Sequence, residues 1–396
     1  MSKPLLALAA ITAALSLSAC VTAPPDYGVM AAGCPAMTRQ VAITAERPLY
    51  VVATSLPDCR GTSPVLTVGR GTPMPFGAPT PYDGPVRYGV AGPPRLPGGK
   101  LAAFDLTGAP AWRLKLRADI AASKSKRVLL FVHGFNNSPD EALSRADAIG
   151  VATGFDGPVI AFLWPSQRAV AKYMWDEENN RWTQPYLDSL LLALTSESDD
   201  VVLVAHSMGN RIAIDALRDL QRSHPGLSTH VSTIVLASAD VDREIYDRDL
   251  APAIVSPGRQ IIVYASRVDR VLQTSWAVHG RARAGDVNCV YDLWRGRKTA
   301  ATHCYPKART GLVVVDTSAV SRALGHADFV ETPEGAADLC HVVAGQPNPS
   351  GRGKGDGAFV LIKGVVDREG CPEGGARLGL GRGLDARSNR ARERRG

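Results

Sequence analysis

From Arg127 onward, short runs of consecutive apolar residues alternate with longer amphipathic stretches. Val128–Val132 is a short continuous apolar run, the pattern of a strand covered on both faces, and Val159–Leu163, Val201–Ala205, Ser232–Ala237, Gln260–Ala265 and Leu312–Val315 are read as further strands. Between them a helix is predicted near Ser138-Pro139-Asp140-Glu141, where a capping serine precedes proline and two acids. Further helices are predicted over Pro185–Thr195, Gly209–Gln221 and Arg243–Ala253. Strands alternating with helices predict an α/β architecture, a mostly parallel sheet with helices on both faces.

Ahead of that rhythm the pattern is weaker. Leu49–Thr54 predicts a first strand, and residues 61–99 are dense in glycine and proline, so loops should dominate there around a short strand near Val86–Val90. The alternation in Trp112-Arg113-Leu114-Lys115-Leu116 predicts another strand. Beyond Gly345, Gly, Pro and Arg rise sharply and only Phe359–Val366 carries the pattern of an ordered segment. We therefore place one domain over residues 46–345 and a Gly/Arg-rich extension over 346–396, its last ~25 residues expected to be disordered.

The 396 residues are 45% hydrophobic, enough for a full core, which excludes wholesale disorder. The longest uncharged apolar run, Leu5–Ala19, is shorter than the ~20 residues a membrane span needs, which excludes a multi-pass membrane protein. The net charge is +7, but residues 372–396 hold seven Arg against Glu373, Asp385 and Glu393, so +4 of it lies in the tail. The basic balance thus gives no argument for a nucleic-acid-binding surface.

The chemistry concentrates at Val201-Val202-Leu203-Val204-Ala205-His206-Ser207-Met208-Gly209-Asn210. A buried strand runs straight into a helix with a serine at the turn, the nucleophile-elbow arrangement, with Ala205 where the first glycine of G-x-S-x-G would stand. Ser207 is the candidate nucleophile. An elbow needs an oxyanion hole. Its donors should be the backbone N–H of Met208 and that of Phe135, in the loop after Leu129-Leu130-Phe131-Val132-His133-Gly134. His133 precedes the serine in the chain and is read as a loop-shaping residue. With the order Ser, acid, His, Asp269 at the end of Gln260–Ala265 is the favoured acid and Asp240 its rival. Among His279, His303, His326 and His341, His326 is favoured as base, because it follows the last core strand across a loop of ten residues.

These pieces resemble the α/β-hydrolase superfamily, and within it a bacterial branch of uncharacterised esterase/lipase-like proteins. The resemblance rests on Phe131-Val132-His133-Gly134-Phe135-Asn136, Trp164-Pro165-Ser166, Ala205-His206-Ser207-Met208-Gly209-Asn210, Tyr264-Ala265-Ser266-Arg267-Val268-Asp269 and Gly325-His326. It implies a doubly wound sheet and a serine hydrolase with Ser207, Asp269 and His326 as its triad, acting on a small-molecule or lipid carboxylic ester. Neither metal nor cofactor is implied. Gln167–Gln184, with Tyr173, Met174, Trp175 and Trp182, lies where such enzymes place a small cap. An acyltransferase using the same acyl-enzyme is the nearest alternative, and a non-catalytic envelope lipoprotein retaining the fold is the other.

The N-terminus reads as an export signal over residues 1–19, with Lys3 ahead of Leu5–Leu15. Leu17-Ser18-Ala19-Cys20 resembles the bacterial lipobox, which implies acylation of Cys20, a tether over residues 20–45 and anchoring that faces the periplasm. Val21, not Asp, follows Cys20, which favours the outer membrane. The six remaining cysteines, Cys34, Cys59, Cys289, Cys304, Cys340 and Cys371, are even in number and read as disulfides in an exported protein. Pairing of neighbours would join 34–59, 289–304 and 340–371, one of 15 connectivities.

Overall fold

The computed structural model describes residues 49–58, 65–70, 86–91, 105–107, 109–167, 169–287, 304–346 and 350–371. Five short strands come first: β1 (Leu49–Ala53), β2 (Ser55–Asp58), β3 (Val65–Arg70), β4 (Arg87–Ala91) and β5 (Asp105–Thr107). Then follow α1 (Ala109–Ala122), β6 (Val128–Val132), α2 (Pro139–Thr153), β7 (Val159–Leu163), α3 (Tyr173–Glu197), β8 (Val201–His206), α4 (Gly209–Ser223), β9 (Val231–Ala237), β10 (Gln260–Ala265), α5 (Arg270–His279), β11 (Leu312–Asp316), α6 (Pro333–Val343), β12 (Arg352–Lys354) and β13 (Phe359–Leu361).

All but β2 and β3 join one sheet of eleven strands, in the order β12-β13-β11-β10-β9-β8-β6-β7-β1-β4-β5. The pairings from β1 through β7, β6, β8, β9, β10 and β11 to β13 are parallel, and the flanking strands β4, β5 and β12 are antiparallel. The side chains of β6 divide between two cores. Val128, Leu130 and Val132 pack with Leu187, Leu191 and Leu194 of α3 and Ile212 and Leu217 of α4. Leu129 and Phe131 pack with Leu143, Ala146 and Ile149 of α2 and Leu339 and Val342 of α6. A strand buried on both faces needs apolar residues at every position, which is why the continuous runs identified these strands.

Helix α2 starts as its residues dictate: Glu141 N–H donates to Ser138 Oγ and Ser138 N–H to Glu141 Oε2, with Pro139 in the first turn. Two expectations need correction. Trp112–Leu116 is not a strand but lies within α1, because Trp112, Leu116 and Ile120 recur at i, i+4 and i+8 and form one buried stripe while Leu114 is exposed. The helix expected to begin at Pro185 begins at Tyr173 and carries Pro185 inside it. Its first turns bury Asp176, Asn179, Asn180 and Thr183, a polar stripe that a hydrophobic pattern does not reveal. The segment read as Arg243–Ala253 is helical but broken by a π-turn over Tyr246–Leu250. Strand pairing continues through β13 past residue 345.

Candidate active site

The strand order β7-β6-β8 sets the location of the site. The chain passes from β6 to β7 on one side and places β8 on the other, so the sheet order reverses between β6 and β8, a topological switch point at their carboxyl ends. Ser207 is the first residue after β8. Its φ is 53°, a left-handed value that a serine does not adopt unless its surroundings hold it there. Four hydrogen bonds do so. Ser207 N–H donates to Ala237 O at 2.9 Å. Its carbonyl accepts from Asn210 N–H at 3.1 Å, from Asp240 N–H at 3.2 Å and from Asn210 Nδ2 at 2.9 Å.

Close approach explains the small residues around the turn. A Cβ on Gly209 would lie 2.3 Å from His133 O, and one on Gly134 only 2.6 Å from Ser207 Cβ. Ala205, one methyl larger than the usual glycine, is fully buried in the core. The backbone of the loop after β6 is therefore pressed against the serine. Among the described residues, neither Phe135 N–H nor Met208 N–H donates to a protein acceptor.

Asp269 stands just beyond β10, fully buried, and caps α5: its Oδ1 accepts from Val271 N–H at 3.0 Å and Leu272 N–H at 2.9 Å. His326 Nδ1 lies 2.8 Å from Oδ2 and 2.9 Å from Oδ1. A carboxylate oxygen accepts, so Nδ1 is the donor in this contact. The loop bearing His326 turns at Gly325, φ 69°, where a Cβ would come within 2.9 Å of Val268 O.

Asp240 is brought to a different partnership. It sits between Arg211 Nη2 at 3.2 Å and Arg283 Nε at 3.1 Å, accepts from Ser275 Oγ at 2.5 Å and is hydrogen-bonded by Tyr173 Oη. Burial alone would raise its carboxyl, but the two guanidinium groups and the hydroxyl donors hold it below the ordinary range. No histidine reaches it among the described residues, so of the two carboxylates it is Asp269, and not Asp240, that meets a histidine. His279 instead lies 2.8 Å from Glu177, and His341 is bonded to Gln346 and faces Asp367.

His133 is a loop-shaping residue by geometry. Trp164 N–H donates to its Nε2 at 3.1 Å, so Nδ1 is the donor, to Gly134 O at 2.8 Å. Burial pushes its pKa down to about 4 and keeps the ring neutral.

The stretch read as a cap contributes a 3-10 turn (Val170–Lys172) and the start of α3. The Tyr173 ring meets that of Phe135 at 5.0 Å, and buried Asp176 accepts from Ser166 Oγ at 2.6 Å and Gln167 N–H at 2.7 Å. Burial raises the Asp176 carboxyl against these bonds and one from the Asn136 N–H. Sequence reasoning missed this carboxylate, along with Arg211, Ser275 and the burial of Arg283. The signal for the first was present in the polar stripe Asp176, Asn179, Asn180 and Thr183. Arg283 is 3% exposed and serves Asp240, whereas Arg267 is exposed beside Asp316.

Cys340 and Cys371 are joined, and Cys304 is disulfide-bonded. Cys20, Cys34, Cys59, Cys289, His303, the export signal, the tether and residues 372–396 lie outside the described residues. Among the described residues no group of three or more His, Cys, Asp or Glu is disposed to hold a metal ion, and no helix is long and apolar enough to cross a membrane.

No curated protein matches the chain. Solved structures similar to it include a putative thioesterase from Silicibacter sp., 16% identical, with 35% of this chain and 56% of that one covered and a TM-score of 0.24. This chain thus spans little more than half of that thioesterase. An esterase from Pyrobaculum calidifontis is 12% identical, with 56% and 76% covered and a TM-score of 0.28. A fungal esterase from Rhizomucor miehei is 13% identical, with 56% and 73% covered and a TM-score of 0.26. At such scores these likenesses carry no argument. The family model described as "Alpha/beta hydrolase of unknown function (DUF900)" matches residues 110–342, more than half of the chain, a span that includes Ser207, Asp269 and His326. The chain belongs to this family of alpha/beta hydrolases.

Proposed function

We propose that this hydrolase is a serine esterase that cleaves a carboxylic ester through an acyl-enzyme on Ser207. The observation that carries the reading is the contact between His326 Nδ1 and Asp269. It leaves Nε2 free of its proton on a loop whose imidazole packs, at 4.7 Å between ring centroids, against the residue next to the serine. In this mechanism Ser207 Oγ attacks the ester carbonyl as His326 Nε2 takes its proton. The Phe135 and Met208 N–H groups receive the developing oxyanion. His326 then returns the proton to the departing alkoxide. Water, deprotonated by the same nitrogen, releases the acid and regenerates the serine, while Asp269 fixes the tautomer and stabilises the imidazolium.

The substrate in this reading is a small-molecule or lipid ester. The chain would meet it at the cell envelope, held by acylated Cys20 on the periplasmic side, with the outer membrane favoured. The test is labelling with a fluorophosphonate, which needs an activated serine and no knowledge of the substrate. Wild type should label and Ser207→Ala should not. A folded wild type that does not react refutes the reading. Anchoring is tested separately: detergent should be needed to extract the full chain, and Cys20→Ala should release it.

A further inference from the structure

The hydrogen bonds that hold the base come from two sides. From the side of the acid, Asp269 binds the His326 imidazole and Arg270 N–H donates to Leu324 O at 3.0 Å. From the side of the nucleophile there is His206. Its Nε2 lies 2.8 Å from the carbonyl oxygen of His326 and, facing a pure acceptor, must carry the proton. The two imidazoles pack at 4.7 Å between centroids, and Phe329 flanks His206 at 5.7 Å. Among the described residues, this is the hydrogen bond that ties the base's segment to the strand bearing Ser207.

Resting on the esterase reading above, we propose that His206 is a positioning residue: by holding the His326 carbonyl from β8, it sets the distance and angle between the basic nitrogen and the neighbouring serine. Asp269 alone anchors the imidazole to the loop after β10 and leaves the ring free to swing about Nδ1 relative to Ser207. The second anchor, one residue from the nucleophile, removes that freedom. His206 also suits its place chemically. Burial, and then the nearby His326, push its pKa well below the ordinary histidine value. It therefore stays neutral while His326 gains and loses its proton, and adds no like charge beside the imidazolium.

The experiment compares His206→Phe, which keeps a buried ring and loses the donor, with His206→Gln, whose amide nitrogen reaches close to the position of Nε2. Fluorophosphonate labelling rates, kcat and KM for a p-nitrophenyl ester, and melting temperatures are measured beside wild type and Ser207→Ala. We expect His206→Phe to label about 10- to 100-fold more slowly, the size of loss that misplacement of about an ångström brings. The loss should fall on kcat with KM held, and His206→Gln should recover most of it. Wild-type rates in His206→Phe overturn the proposal. So does an equal loss in both variants, whether or not melting changes, because the donor would then not be the cause. If wild type labels no more than Ser207→Ala, the esterase reading itself has failed, and that result is separate from any difference between the two histidine variants.

Discussion

Replacing Asp269 with asparagine separates two roles that one carboxylate combines. Oδ1 accepts from the first N–H groups of α5 at 2.9 and 3.0 Å, and Oδ2 faces His326 Nδ1 at 2.8 Å. Asparagine has one acceptor oxygen. Turned toward the histidine, it would set its NH2 against two helix donors and orphan both, at about 1–3 kcal/mol each. It will therefore keep its oxygen on the helix, where asparagine caps about as well as aspartate. The loss of a carboxylate at a helix N-terminus costs about 0.3–1 kcal/mol, so stability should fall by no more than about 1 kcal/mol. The NH2 then faces Nδ1, which can only accept from it. The proton moves to Nε2, and the ring can no longer take one from Ser207. A triad locked in the wrong tautomer loses about 10⁴-fold, or roughly 5.5 kcal/mol in the barrier. The assay is the second-order rate of fluorophosphonate labelling, paired with a thermal melt. A rate within about tenfold of wild type would refute the reasoning, as would a comparable loss in Asp240→Asn without destabilisation.

Asp240→Ala should cost about 3–5 kcal/mol in urea denaturation at pH 7, because it takes the carboxylate from buried Arg283 and leaves half-buried Arg211 with Glu177 alone as its anion. The Asp240 carboxyl is held below its ordinary range, so its contribution is present above about pH 4 and lost as pH falls through its folded pKa, and the gap to the variant should close in acid. Asp188 runs the other way. Burial, then Asp219 and Asp215, raise its pKa to about 6, so its ionised form opposes folding at pH 7 and ceases to below about pH 4. Asp188→Asn, which still accepts from Gln184, should melt later by about 1–2 kcal/mol at pH 7 and lose that advantage at pH 4. Gly209→Ala would set a methyl 2.3 Å from a backbone oxygen that cannot move aside, and should cost about 1–3 kcal/mol in the same denaturation assay.

How much of this could be read from the chain depends on what holds each part in place. The parallel strands were legible because burial on both faces leaves no polar position in runs such as Val128–Val132. The elbow was legible because close backbone approach demands a small residue such as Gly209 two positions after Ser207. Trp112–Leu116 was misread because five residues of alternation fit a strand and one stripe of a helix equally. Only Ile120, a further turn along, decides between them. The start of α3 was hidden for a different reason: its inward face is made of Asp176, Asn179, Asn180 and Thr183, satisfied by hydrogen bonds and not by apolar contact. The partnership of Asp240 depends on which arginines lie nearby, and Arg211 and Arg283 are 72 positions apart in sequence. Long-range charge pairing of that kind leaves no local pattern.

The backbone at Ser207 also bears on how this protein would change under selection. A side chain at φ 53° carries a cost of about 1–2 kcal/mol that glycine does not. The chain would therefore fold more stably with glycine in place of this serine. A laboratory population selected for heat resistance alone should drift toward glycine at position 207. One selected for heat resistance together with turnover should hold serine there and gain its stability elsewhere, at positions such as Asp188. If Ser207 is the nucleophile proposed above, folding and chemistry prefer different residues at this position.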